Sequence, residues 1–210
     1  MYVKNHMLPK DRLTTVQLRE SIKNALDKIN EGDFLSLPVF DGDQFKGIIM
    51  KEAIFRGYFE GNYMDKNQFL MDTTVEELYK DEYKSIKENE LIENASYLLK
   101  ELRTPFLPVF NSDEEFVGIL THFSIFNAFA EIFGFDKGTR IVVHMFDIPG
   151  QLARLTEVIR KENINILNFT VMDAKVLDVY RVVLRVDTED VGGLVDKIDA
   201  AGFRVGEITK

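Results

Sequence analysis

Two observations predict an α+β fold of three modules: one unit is stated twice, and a βαββαβ run follows it. Residues 37–55 read LPVFDGDQFKGIIMKEAIF and residues 107–126 read LPVFNSDEEFVGILTHFSIF. Leu37-Pro38-Val39-Phe40 recurs as Leu107-Pro108-Val109-Phe110 at an offset of 70, and Phe45-x-Gly47-Ile48 recurs as Phe116-x-Gly118-Ile119 at 71. The second copy therefore has one extra residue in its turn. Self-similarity at a fixed spacing marks a duplicated unit.

Each element has its own warrant in the chain. Met1–Asp11 ends in Leu8-Pro9, where proline favours an extended neighbour, and Leu13–Val16 is β-prone. Leu18, Ile22, Ala25, Leu26 and Ile29 share one helix face, closed by Gly32. Phe34–Phe40 is the next expected strand, Asp41-Gly42-Asp43 its turn, Phe45–Met50 the return, and Lys51–Phe59 a helix. After a polar bridge over residues 61–68, the order returns with a strand at Lys84–Lys87. Ile92, Ala95, Leu98, Leu99 and Leu102 line the next helix, with Glu90 and Glu93 at the end where the dipole favours acids. Strands Phe106–Phe110 and Phe116–Leu120 follow, then a closing helix over Phe123–Phe133. Its crowded phenylalanines point to core or a subunit interface rather than a ligand box.

Gly134–Gly138 breaks the pattern. Thr139–Phe146 alternates as a strand, and Asp147–Gly150 is a loop. Leu152, Leu155, Val158 and Ile159 then line a helix. Strands Asn165–Met172 and Tyr180–Val186, a helix over Val191–Ala201 and a strand at Phe203–Ile208 complete a βαββαβ order, that of a ferredoxin-like sandwich. The expected modules are residues 1–70, 71–135 and 138–210.

Composition removes several function classes. At 210 residues, 45% hydrophobic and 29% charged, the chain can bury real cores. A net charge of −9 argues against nucleic-acid binding. It leaves room for a small nucleotide at a locally positive site. The absence of cysteine excludes disulfides, thiol catalysis and zinc–thiolate sites. Neither a signal peptide nor a membrane-spanning run is found, so no membrane partner and a cytoplasmic location are expected. The three histidines, His6, His122 and His144, fall in different modules without zinc spacing, so no metal is expected. Without a P-loop, a dinucleotide glycine fingerprint or a G-x-S-x-G elbow, an enzyme is not expected. The last module lacks the aromatic platform that RNA binding would need.

The doubled unit, each copy with a Pro-Val strand and a Gly-hydrophobic closing strand, resembles a tandem pair of CBS domains, a Bateman module. The tail, with Asp147-x-Pro149-Gly150-x-Leu152 entering its first helix, resembles an ACT domain. Together, from about residue 7 onward, they are similar to bacterial CBS–ACT proteins of the acetoin-utilisation B type. The resemblance implies an adenine nucleotide as ligand, no required cofactor, and no catalysis.

The family pattern after the closing strand is Gly-h-h-Thr/Ser-x-x-Asp, which places both polar groups on the first turn of the helix, where free N–H groups favour an anion. The second copy reads Gly118-Ile119-Leu120-Thr121-His122-Phe123-Ser124, so Thr121 matches and Ser124 replaces the acid. The first copy has Met50 and Ala53 at those positions and has lost both. The resemblance thus implies one competent nucleotide cleft, served by Ile119, Thr121, His122 and Ser124, with a far wall of Thr14, Phe34, Leu35 and Ser36. Thr121 and Ser124 read equally as helix N-caps. His122, Arg56 and Arg103 are phosphate partners or solvated surface, while Gly47 and Gly118 are structural, since the backbone must be approached closely there.

In the ACT family, the loop before the first helix offers N–H groups to a ligand carboxylate. The implied residues here are Asp147, Gly150 and Asn165. Asp147 would repel a carboxylate, so this module reads as an amino-acid site or as a dimerising element. The expected protein is a ligand-sensing homodimer acting on an unidentified target enzyme. Its ligand candidates are AMP, ADP, ATP, S-adenosylmethionine and cyclic di-AMP. The alternatives are a scaffold with dead sites and an amino-acid sensor working through the ACT module.

Overall fold

A computed structural model describes residues 1–61, 63, 65–176 and 178–210. It divides into two compact units, Met1–Ala128 and Phe129–Lys210.

In chain order the first unit holds β1 (Leu8–Pro9), β2 (Val16–Gln17), α1 (Ile22–Glu31), β3 (Ser36–Asp41), β4 (Gln44–Met50), α2 (Lys51–Glu60) and α3 (Lys66–Asp72). The second copy follows as β5 (Ile86–Lys87), α4 (Ile92–Leu102), β6 (Phe106–Phe110), β7 (Phe116–Thr121) and α5 (His122–Ile132). Sheet order is β2-β3-β4 in the first copy and β1-β7-β6-β5 in the second. Short single-turn helices at Val3–Asn5 and Val75–Glu77 lead into the two copies.

Those lead-ins are exchanged. β1 belongs to the first copy by sequence but pairs with β7 of the second, Leu8 against Ile119. The lead-in of the second copy answers it: Lys80 and Ile48 of β4 exchange both backbone hydrogen bonds, at 2.8 and 2.9 Å. Val3 N–H donates to Glu90 O and Val75 N–H to Glu20 O, both at 2.9 Å, so each lead-in also ties the entrance of the other copy's helix. Val3 and Val75 are fully buried, each contributing about 1.5–3 kcal/mol by removal from water. Between the copies, Phe45 and Phe116 stack at 4.6 Å, with Phe40 and Phe110 against their edges. Phe106, Ile48 and Ile119 complete that cluster.

Gly47 and Gly118 are where the exchanged backbones approach. A Cβ on Gly47 would sit 2.0 Å from Lys80 O, and one on Gly118 would sit 2.4 Å from Leu8 O. The neighbour in each case is the other copy's lead-in, which the sequence pattern does not disclose.

Several boundaries differ from expectation. Leu18 lies outside α1, which starts after Ser21, whose Oγ accepts the Asn24 N–H. Leu18 is held instead by backbone bonds to Phe40 and Glu76. Phe34 and Leu35 precede β3 rather than belonging to it, because the chain leaves α1 through Asp33 at φ 50°. Of the expected polar bridge, residues 62 and 64 lie outside the described residues, and its end is the unforeseen α3. Asp65 caps that helix by accepting the Gln68 N–H at 2.9 Å, and Phe69 buries itself against Tyr58 and Tyr63.

The second unit carries β8 (Thr139–Phe146), α6 (Gln151–Lys161), β9 (Ile166–Val176), β10 (Val179–Val186), α7 (Gly192–Ala200) and β11 (Arg204–Thr209). The antiparallel sheet order is β11-β8-β10-β9, the ferredoxin-like arrangement. Ile141, Val143, Met145, Val182 and Leu184 face Leu155, Ile159, Leu194 and Ile198 of the helices in one core. β9 runs four residues beyond its expected end at Met172, paired along β10 to Val176.

Filling the close approach tests the exchange: Gly47→Ala or Gly118→Ala should cost about 1–3 kcal/mol by overpacking. Urea unfolding followed by circular dichroism would measure this, and a cost near zero would mean that the lead-ins are not docked there.

Candidate functional site

Exchange of the lead-ins leaves a cleft between the copies. Ile48 and Met50 of β4 form one wall, and Lys80–Lys84 with Leu102–Pro105 form the other, around about 580 Å³. Lys80 is fixed by its two bonds to Ile48. Tyr83 sets its ring edge-on to Phe45 at 5.0 Å, and burial raises its phenol above the ordinary value. Arg103 ends α4 at φ 49°, which turns the chain toward β6, and the Thr104 hydroxyl donates to Phe106 O at 3.0 Å. Lys80, Lys84 and Arg103 outnumber Asp81 and Glu82 in this cleft, on a chain of net charge −9. An apolar wall beside a cationic mouth can hold a flat organic body with an attached anion.

The structure brings Thr121 and Ser124 together as a cap. Ser124 N–H donates to Thr121 Oγ1 at 3.1 Å and the two hydroxyls meet at 3.1 Å. Ser124 is buried, so its hydroxyl serves the helix start, whereas Thr121 is half-buried. Ile119 packs in the aromatic cluster between the copies, as its counterpart Ile48 does. His122 and Thr14 are exposed; Phe34 and Leu35 are 38% and 76% exposed, and Ser36 pairs with Met50. Among the described residues no hydrogen bond joins the Thr121–Ser124 pair to Thr14, Phe34, Leu35 or Ser36. Sequence reasoning passed over Lys80, Tyr83 and Lys84. Aligning residues 73–84 with residues 1–14 as part of the repeat would have found them.

In the second unit, Asp147, Ile148, Gly150, Leu152 and Tyr180 surround a hollow of about 410 Å³. Gly150 stands at φ 87°, a conformation that suits glycine, and starts α6. Asp147 N–H donates to Asp178 O at 2.8 Å. Hydrogen bonding to the Asp147 carboxylate, and then its charge, lifts the Tyr180 phenol above its usual range. Asn165 is elsewhere. It exchanges bonds with Asp187 at the start of β9, beside the beginning of β8, whereas Asp147 follows the end of β8. Roughly seven strand residues, about 23 Å at 3.3 Å per residue, separate them. One chain therefore does not bring Asn165 to Asp147 and Gly150. Among the described residues no three His, Asp or Glu side chains are grouped to hold a metal ion, and no helix is long and apolar enough to cross a membrane.

The raised Tyr180 phenol has a signed consequence. The neutral hydroxyl is favoured in the fold, so its contribution is present below the ordinary phenol range near 10 and is lost as pH rises through the folded value. Asp147→Asn should move the Tyr180 midpoint down toward the ordinary value in a tyrosinate absorbance titration. An unchanged midpoint would separate Asp147 from Tyr180.

Comparisons agree with this geometry. The family model described as the CBS domain matches residues 3–60 and 75–131, and that described as the TTHA0829-like ACT domain matches residues 137–209. No curated protein matches the sequence. Among solved structures, CBSX2 in complex with AMP is 25% identical over 62% of this chain and 97% of that chain, with a TM-score of 0.54. The CBS-pair protein CBSX2 from Arabidopsis thaliana is 24% identical over 62% and 95%, with a TM-score of 0.53. A CBS domain-containing protein of unknown function from Bacillus anthracis is 23% identical over 62% and 94%, with a TM-score of 0.55. With two copies matched over more than half its length and a ferredoxin-like tail behind them, the chain belongs to the CBS-domain family and carries a C-terminal ACT domain.

Proposed function

We propose that this is a non-catalytic regulatory protein whose CBS pair takes up an adenine nucleotide between its copies, AMP first among the candidates. The observation that carries the reading is the cleft between Met50 and Arg103. It lies at the copy in which Met50 and Ala53 replace both polar residues of the family pattern, and is not the cleft expected from sequence. It joins an apolar wall of Ile48, Met50, Leu102 and Pro105 to the cations Lys80, Lys84 and Arg103. A purine fits the former and a phosphate the latter. The 25% identical CBS pair in complex with AMP supports this choice of ligand.

The two copies are related by the offset of 70 to 71. Carried across that relation, Met50 opposite Thr104 and Pro105 becomes Thr121 opposite Phe34 and Leu35. That second cleft, with Ile119, Thr121, His122 and Ser124 on one side and Thr14 and Phe34–Ser36 on the other, offers a ribose the Thr121 hydroxyl. A nucleotide bound across both copies shifts their arrangement only by its differential affinity for the two states. The modules over residues 1–70, 71–135 and 138–210 and the likeness to the acetoin-utilisation B type belong to the same proposal, as does a target enzyme that reads the shift.

A homodimer is supported by an aromatic face that the duplication repeats. Phe55 in α2 and Phe126 in α5 occupy the same repeat position and are 45% and 68% exposed, beside Phe59 at 80% and Phe123 at 72%. A second chain would also be needed to bring an Asn165 to the Asp147–Gly150 loop. The scaffold reading draws on the same aromatic face and on the buried Ser124 cap.

Titration calorimetry with AMP tests the ligand. Lys80→Gln with Arg103→Gln should weaken binding at least about tenfold, since charge-assisted bonds contribute about 1.5–3 kcal/mol each. Thr121→Val should remove any binding step that belongs to the other cleft. No heat with AMP, or binding indifferent to both changes, would leave the scaffold standing. In sedimentation equilibrium Phe126→Glu should shift a dimer toward the monomer mass; a variant that stays dimeric would move the interface elsewhere.

A further inference from the structure

The ACT unit carries a second concavity, at the edge of its sheet opposite β9. β11 begins at Arg204, opposite His144, and leaves Met145 and Phe146 at the end of β8 without a neighbour on that side. The notch joins the helix layer to the open face of the sheet around about 770 Å³, a volume suited to a small organic ligand. Its lining is basic. Arg204, His144 and Arg181 stand in one row across β11, β8 and β10, each directly opposite the next. Arg154 of α6 closes the row from the helix side, with Nη2 donating to Ala201 O at 2.8 Å and its guanidinium 5.4 Å from the Phe203 ring.

Like charges directly opposite on neighbouring strands repel, and the sheet answers this where Arg140 faces Arg185. Four residues before His144 in β8, Arg140 meets Glu207 at 3.0 Å. Among the described residues no Asp or Glu lines the notch. Among the described residues no carboxylate lies within 4.0 Å of Arg154, Arg181 or Arg204. Gly206 sits at the bulge in β11, where a Cβ would come 2.7 Å from His144 Nε2, so the strand lies against the imidazole edge. Phe146 and Val176, 62% and 65% exposed, form an apolar wall beside the arginines.

We infer that this notch is a binding site for a small organic anion, with phosphate or carboxylate oxygens on Arg181, Arg204 and Arg154 and an apolar body over Phe146 and Val176. Guanidiniums hold such oxygens in pairs, and an array of one sign concentrates counter-ions. The site shares no residue with the CBS clefts and does not depend on their reading.

Amide chemical shifts of the full chain, titrated with phenyl phosphate, phthalate and inorganic phosphate, locate the binding. Saturable shifts should centre on Met145, Arg181 and Gly202–Gly206, stronger for the aromatic anions than for inorganic phosphate. The phosphate and carboxylate arms identify which oxyanion is preferred. Arg181→Gln with Arg204→Gln should weaken the better probe at least about tenfold while the remaining spectrum is retained, and Gly206→Ala should weaken it by displacing His144. No saturation by about 10 mM, shifts confined to Lys80, Lys84 and Arg103, or equal binding by the double variant would overturn the proposal.

Discussion

The first unit depends on a backbone-to-backbone contact made twice. Lys80 O lies where a side chain on Gly47 would be, and Leu8 O where one on Gly118 would be. From that proximity follow the exchanged lead-ins, the buried Val3 and Val75 and the stacked Phe45–Phe116 pair. The cleft follows as well. Lys80 can enter it only because its backbone is bonded to Ile48, so the contact that joins the copies also delivers a cation to the space between them. Assembly of the pair and assembly of the candidate site are one event.

Charge distribution separates the two concavities from the rest of the surface. The chain is acidic overall, and most of its exposed ion pairs, such as Lys23–Asp27 and Arg160–Glu157, lie within single helices and contribute little. The cleft and the ACT notch instead gather cations from separate elements. In the cleft they come from an exchanged lead-in and a helix end; in the notch they come from two strands and a helix. Local surplus of one sign, in a concavity with low-dielectric walls, attracts an anion to a molecule that repels it at long range.

Much of the fold is legible in the sequence because hydrophobic period and turn chemistry agree there. β8 runs over Thr139–Phe146 as expected, and the hairpins fall at Asp41-Gly42-Asp43 and its counterpart. What escapes is non-local. The start of α1 is decided by the Ser21 cap and by the backbone bonds of Leu18 to Phe40 and Glu76, not by the apolar stripe. α3 rests on Asp65 and one buried phenylalanine, too little for a periodic signal. The motif singles out Thr121 and Ser124, and the geometry adds that Ser124 is turned inward to its partner. Lys80 and Lys84 carry no motif at all; they become neighbours of Met50 only through the exchange. Asn165 and Asp147 share a family pattern yet stand at opposite ends of one sheet.

The exchange also bears on how the protein is made. Leu8 finds its partner at Ile119, more than a hundred positions later. At ribosomal rates of roughly 5–20 residues per second, the first strand waits several seconds after synthesis with its edge unpaired and Val3 in water. The first copy can close sooner, since the segment ending at Lys80 emerges soon after Ile48. Nascent chains therefore pass through a stage in which the first copy is complete while its own leading strand hangs free, open to pairing with the β7 of a neighbouring chain on the same message.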